Sequence, residues 1–172
     1  KGCRLDLHPG VFKPGQCAQT ALARALVLIC ALDETPSFDL YVRPSFAHYL
    51  AYWLLDAMAE KSVDRAFVLF SDPWPKRRQN KRRFIVKENL DRLARVMKDG
   101  AQLRFASDHM DFVSWSLQRL IAHPCFSWQA RTAGDWRTPP QDWQPTRYEE
   151  KALARGERPA YLLFNRLPRS PK

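Results

Sequence analysis

Residues 66–75 read Ala66-Phe67-Val68-Leu69-Phe70-Ser71-Asp72-Pro73-Trp74-Pro75 (AFVLFSDPWP). The apolar run Ala66 to Phe70 has no polar break, the pattern of a strand buried on both faces of a parallel sheet. It stops at Ser71-Asp72. Proline fixes its own φ and pushes the residue before it out of the helical region. Asp72 and Trp74 are therefore expected to be extended, in a stiff loop. In open α/β sheets ligands bind beyond the carboxyl ends of the strands, which puts Asp72 at a candidate site.

A basic run follows at once: Lys76, Arg77, Arg78, Lys81, Arg82 and Arg83. Such a run suits a polyanion, with Trp74 able to stack on a base. A solvated charged face and a core-plugging tryptophan are the plainer readings of the same residues.

Working outward, apolar spacing at 46, 50, 53, 54 and 57 predicts a helix over Phe46–Ala59, with Ser45 as cap. Glu88–Lys98 reads as a helix closed by Gly100. Leu103–Ala106 reads as a strand, followed by a helix capped by Ser107 or Asp108 and stopped at His123-Pro124. Residues 134–147 read as a structured loop, Tyr148–Arg155 as a short helix and Tyr161–Phe164 as a closing strand. Upstream, Ala21–Leu32 is rich in Ala and Leu and predicts a helix, and Phe38–Val42 a strand. Strands and helices in alternation indicate an α/β sheet of mostly parallel order. No linker or repeat interrupts residues 1–172, which read as a single domain.

With 172 residues, 45% of them apolar and six tryptophans, the chain can bury a core. The net charge of +10 favours a polyanionic partner. The longest apolar run, Ala25–Leu32, is too short to span a bilayer, so no membrane role is expected. Cys3, Cys17, Cys30 and Cys125 lack C-x-x-C pairing and a nearby histidine pair, so no metal site is expected. They read as four free thiols of a protein in a reducing cytoplasm.

The stretch DRAFVLFSDPWPKRRQNKRRFIVKENLDRLARVMKDG, together with LRFASDH and TRYEEKAL, closely resembles the bacterial tRNA (guanine-N7)-methyltransferase family. The resemblance runs from about Leu22 to Leu167 and is dense from Asp64 onward. It implies a Rossmann-like methyltransferase fold with helices on both faces of the sheet. The implied cofactor is S-adenosylmethionine and the implied partner is tRNA. The implied reaction is methylation at N7 of the variable-loop guanine, by a monomer or homodimer. Asp72 would be the catalytic acidic residue, also near the cofactor. Lys76, Asp108, Thr146, Arg147, Tyr148 and Glu149 would contact the substrate. Arg78, Gln79, Asn80, Lys81, Arg82 and Arg83 would touch RNA.

Departures from the family pattern lie mainly on the cofactor side. The chain has six glycines and no Gly-x-Gly, so the first strand and its glycine-rich loop are expected to be lacking. The positions that should hold the cofactor's ribose and adenine fall on Gln16 and Phe46. Within the hallmark, Ser71 replaces a proline and Gln79 a histidine. A homologue that binds tRNA without methylating it is the alternative reading, and a basic structural protein a third.

Overall fold

The computed structural model describes residues 2–35 and 37–169. They form two compact units, Lys1–Ala57 and Met58–Lys172.

The first unit is an antiparallel sheet of β1 (Cys17–Leu22), β2 (Ala25–Ala31) and β3 (Phe38–Val42), in that order, with helix α1 (Pro44–Ala57). The helix expected over Ala21–Leu32 is instead a hairpin. Leu22 pairs with Ala25 across Ala23-Arg24, and Ala23 takes φ +53. Helical propensity loses here to a two-residue period: Ala25, Val27, Ile29 and Ala31 are buried while Leu26 and Leu28 are exposed. Leu50 on α1 joins Leu22, Ala25, Val27 and Ile29 in a small core, with Trp53, Leu54 and Phe12 against it. Cys17 and Cys30, opposite each other on β1 and β2, form a disulfide, so the reading of four free thiols is corrected. Cys3 and Cys125 are free.

The second unit carries β4 (Val63–Leu69), a 3-10 turn (Arg77–Arg82), α2 (Lys87–Val96), β5 (Met97–Ser107), α3 (Met110–Ala122), β6 (Phe126–Trp128), α4 (Gly134–Arg137), α5 (Arg147–Ala154) and β7 (Ala160–Arg166). Its sheet runs β4-β5-β7-β6. The α/β class and the Rossmann-like alternation hold here, but the sheet is mixed rather than mostly parallel. The β4–β5 pair is parallel, and β7 pairs antiparallel with both β5 and β6. Helical crossovers do set β4, β5 and β6 in one direction. Alternation along the chain reports direction, not neighbour order, so it did not reveal that β7 inserts between β5 and β6.

Residues alternate across this sheet. Leu103, Phe105, Leu162 and Phe164 are buried on one face, where Phe105 meets Phe112 of α3 edge-to-face at 5.1 Å. Leu90, Leu93 and Ala94 bury one side of α2 at helical spacing. On the other face Arg104 donates from both terminal nitrogens to Asp142, at 2.9 and 3.0 Å. Trp143 packs on Tyr161 of that face, and Gly134 and Asp135 of α4 line a cavity with Arg104. β4 is an edge strand, and Phe67 is 51% exposed. The reading of a strand buried on both faces is corrected accordingly. α2 ends at Val96 and leads straight into β5, where Gly100 sits at φ +82 instead of capping a helix. Among the described residues no helix is long and apolar enough to cross a membrane.

Candidate functional site

Beyond β4 the chain makes a tight loop. Phe70 and Trp74, which bracket Asp72, both adopt left-handed backbone, at φ +47 and +42. Trp74 is therefore not extended: Pro75 excludes the right-handed helical region, and the loop turns through the left-handed one instead. Non-glycine residues there cost of order 1–2 kcal/mol each, and such strain gathers at functional sites. Phe70 N–H donates to Ala106 C=O at 2.8 Å, tying the loop to the end of β5. Asp72 is exposed and has no side-chain hydrogen bond among the described residues.

Asp72 lines a cleft of ≈ 450 Å³ with Ser71, Asp108, His109, Tyr148, Lys151, Arg155 and Glu157. The cleft joins the ends of β4 and β5 with α5. Arg155 bridges its two other acids, reaching Asp108 at 3.2 Å and Glu157 at 2.8 Å. Burial, and then a hydrogen bond with Glu157, raise the Asp108 carboxyl above its usual range. Hydrogen bonds from Arg155 and Asp108 lower that of Glu157. Carboxylates that accept hydrogen bonds, beside cations and an exposed Tyr148 ring, suit a polar planar ligand such as a purine.

The expected site residues divide. Asp72, Asp108 and Tyr148 share this cleft, and Arg147 is exposed at the start of α5. Thr146 and Glu149 have structural work instead of an open face. Thr146 caps α5 and accepts from Glu149 N–H at 3.2 Å in a capping box. Glu149 is 3% exposed and accepts from Trp143 Nε1 at 2.7 Å and from the Tyr161 hydroxyl. Burial, and then that bond, push the Tyr161 hydroxyl well above its usual range. The held pair Trp143–Tyr161, in contact at 5.1 Å, walls a larger cavity of ≈ 900 Å³ that shares Asp108 and Glu157 with the cleft. Lys151, Arg155 and Glu157 were missed as cleft residues, a cleft that His109 also lines. Lys151 and Arg155 lay in the short helix already read over 148–155, one turn apart, a signal that could have found them.

The basic run also divides. Lys76, Arg77, Arg78, Lys81 and Arg82 are exposed. Lys76, Arg78 and Lys81 make no ion pair among the described residues, which leaves their charge to a partner. Arg82 lies over the Trp74 ring at 5.0 Å. Gln79 and Asn80 are half-buried, and the Asn80 side-chain oxygen faces inward without a partner. Arg83 is turned inward: its side chain is fully buried, paired with Asp111. The resemblance places it within an RNA-binding run, but the 3-10 turn points it inward.

The cofactor positions Gln16 and Phe46 both lie in the first unit. Gln16 is at the entry to β1, its side-chain oxygen taken by Lys13 N–H at 2.7 Å, and Phe46 is exposed on α1. No glycine forms a cradle that an added Cβ would fill from a cavity. Gly15, Gly100 and Gly156 face open space, and a Cβ added at Gly2 would come within 2.9 Å of the Trp53 ring. Neither Gln16 nor Phe46 offers a carboxylate to the ribose or adenine of S-adenosylmethionine.

Residues 45–162 match the profile of a family described as "Putative methyltransferase". Proteins named tRNA (guanine-N(7)-)-methyltransferase are similar over much of the chain. That of Rhodospirillum rubrum is 51% identical over 139 residues, covering 81% of this chain and 53% of the relative. That of Mesorhizobium japonicum is 50% identical over 139 residues, with 81% and 58% covered. That of Azorhizobium caulinodans is 52% identical over 114 residues, with 66% and 50% covered. The chain thus spans about half the length of these curated relatives. An S-adenosylmethionine-dependent O-methyltransferase from Thermotoga maritima aligns in structure at TM-score 0.36 and 14% identity, over 69% of this chain and 39% of that one. On the profile that spans both the basic turn and the Asp72 cleft, the chain belongs to this methyltransferase family.

Proposed function

We propose that this chain carries the guanine- and RNA-facing side of a tRNA (guanine-N7)-methyltransferase. The observation that supports this most is the juxtaposition within one loop of Asp72, lining a cleft with Asp108 and Tyr148, and a turn of unpaired cations. The relatives' names point to the same substrate. Lys76, Arg78, Lys81 and Arg82 hold tRNA phosphates, and Arg147 extends that surface. Asp72 accepts hydrogen bonds from the guanine edge. Its charge offsets the positive charge that a purine carries once alkylated at N7. Guanine N7 has an in-plane lone pair, so no base is needed to remove a proton; position and electrostatics are what the protein supplies. S-adenosylmethionine is the methyl donor implied, and the product is 7-methylguanosine. A tRNA substrate places the protein in the cytoplasm.

The test is to incubate unmodified tRNA with S-adenosylmethionine and the protein and to measure 7-methylguanosine by mass spectrometry after nuclease digestion. Donor binding is followed separately by calorimetry. The expected result is product with the unaltered protein and none with Asp72→Ala, which still retains tRNA. Retention of tRNA without product or donor binding leaves only an RNA-binding role and overturns the transferase reading.

A further inference from the structure

The structure assigns Arg83 as the positioning residue that holds the Asp72 loop in shape, not as a contact to RNA. This inference rests on the proposed role of Asp72. Three observations carry it.

The first is strain. Phe70 and Trp74 on either side of Asp72 are both left-handed, a conformation that relaxes unless the surroundings over-determine it. Ala106 holds the Phe70 end. At the other end Arg83 Nε donates to Pro73 C=O at 2.7 Å, and Nη2 reaches Trp74 C=O at 3.4 Å. These are the two carbonyls that immediately follow Asp72.

The second is the anchorage of Arg83 itself. The guanidinium pairs with Asp111 in the first turn of α3. It lies 4.8 Å from the centre of the Trp115 ring and 5.4 Å from that of Phe112. Trp115 is fixed in turn by its Nε1 donating to Ile85 C=O at 3.1 Å. A planar fork with fixed donors suits this place, and a lysine ammonium cannot reproduce it.

The third is the contrast with the next residue. Arg82 is exposed and lies over Trp74, while Arg83 is buried. Two adjacent arginines therefore serve the same loop differently. Arg82 is free to meet a phosphate; Arg83 is turned inward, with Nε and Nη2 bonded to the protein and Nη1 buried without a partner.

Hydrogen exchange and salt-dependent tRNA binding on the same variants test this. Arg83→Gln is expected to speed exchange at the Phe70 amide, which ties the loop to Ala106 C=O, by about tenfold, the order carried by one charge-assisted bond. It leaves the slope of log affinity against log salt unchanged. Arg83→Lys keeps the charge and is expected to rescue little of the protection. Arg82→Gln is expected to do the reverse, keeping protection while reducing the slope by about 0.7–0.9. If Arg83→Gln fails to fold, Asp111→Asn serves in its place. That side chain is 66% exposed, so its loss removes only the anchor. Unchanged protection in both Arg83→Lys and Asp111→Asn overturns the inference. So does a slope reduced as much by Arg83→Gln as by Arg82→Gln. Failure of the unaltered chain to bind tRNA sinks the proposed function instead, and the exchange result still decides the role of Arg83.

Discussion

Glu149→Ala should destabilise the protein severely although Glu149 lies on a short surface helix. The carboxylate is 3% exposed and serves three donors: Trp143 Nε1, the Tyr161 hydroxyl and the Thr146 N–H of the capping box. Truncation leaves the first two with nowhere to donate, at about 1–3 kcal/mol for each buried group left unpaired. Loss of half the capping box adds up to about 1 kcal/mol. The expected cost is about 3–5 kcal/mol, read as a fall in the urea midpoint at constant m-value. Glu149→Gln should cost less, because the Tyr161 hydroxyl can rotate to accept from the new amide while the remaining oxygen keeps Trp143. Tyr161 adds a pH signature. Its folded pKa is raised, so its contribution is present below the ordinary value of 10.0 and lost as pH rises through the folded value. Stability should therefore fall at alkaline pH, and less so in Tyr161→Phe. A cost below about 1 kcal/mol for Glu149→Ala, or equal costs for Ala and Gln, refutes this reasoning.

Three further outcomes are expected. Gln replacements of Arg78, Lys81 and Arg82 should each reduce the salt slope of tRNA binding by about 0.7–0.9, with little change in thermal midpoint; an unchanged slope removes their phosphate role. Hydrogen bonds from Arg104 hold the Asp142 carboxyl below its ordinary value of 3.8. That contribution is present above 3.8 and lost as pH falls through the depressed value, so Asp142→Asn should flatten the acid limb of the stability curve. Reduction of Cys17–Cys30, whose partners are 13 residues apart, should lower stability by about 2–3 kcal/mol, measured by urea unfolding with and without reductant.

The sequence was most legible where local pattern and tertiary role coincide. The strand before Asp72 and the α2 stripe Leu90-Leu93-Ala94 use signals contained within a few residues. Reading failed where the deciding partner is remote. Arg83 looks like its basic neighbours until Asp111 and the Pro73 carbonyl are in place beside it. Glu149 reads as a substrate contact until Trp143 and Tyr161 occupy it. In Ala21–Leu32 propensity and periodicity conflict, and pairing with β1 and β3 decided for strand.

The central claim is that the Asp72 cleft takes a guanine from a tRNA gripped by the basic turn. Its most direct test is the affinity of the unaltered protein and of Asp72→Ala for three unmodified tRNAs that differ only at the variable-loop target: guanine, 7-deazaguanine or adenine. The account predicts that guanine and 7-deazaguanine bind alike, since both keep the edge that donates to Asp72. Adenine should bind up to about tenfold more weakly, the worth of one charge-assisted bond. The gap should close in Asp72→Ala while most affinity remains. Equal binding of adenine and guanine by the unaltered protein contradicts the account.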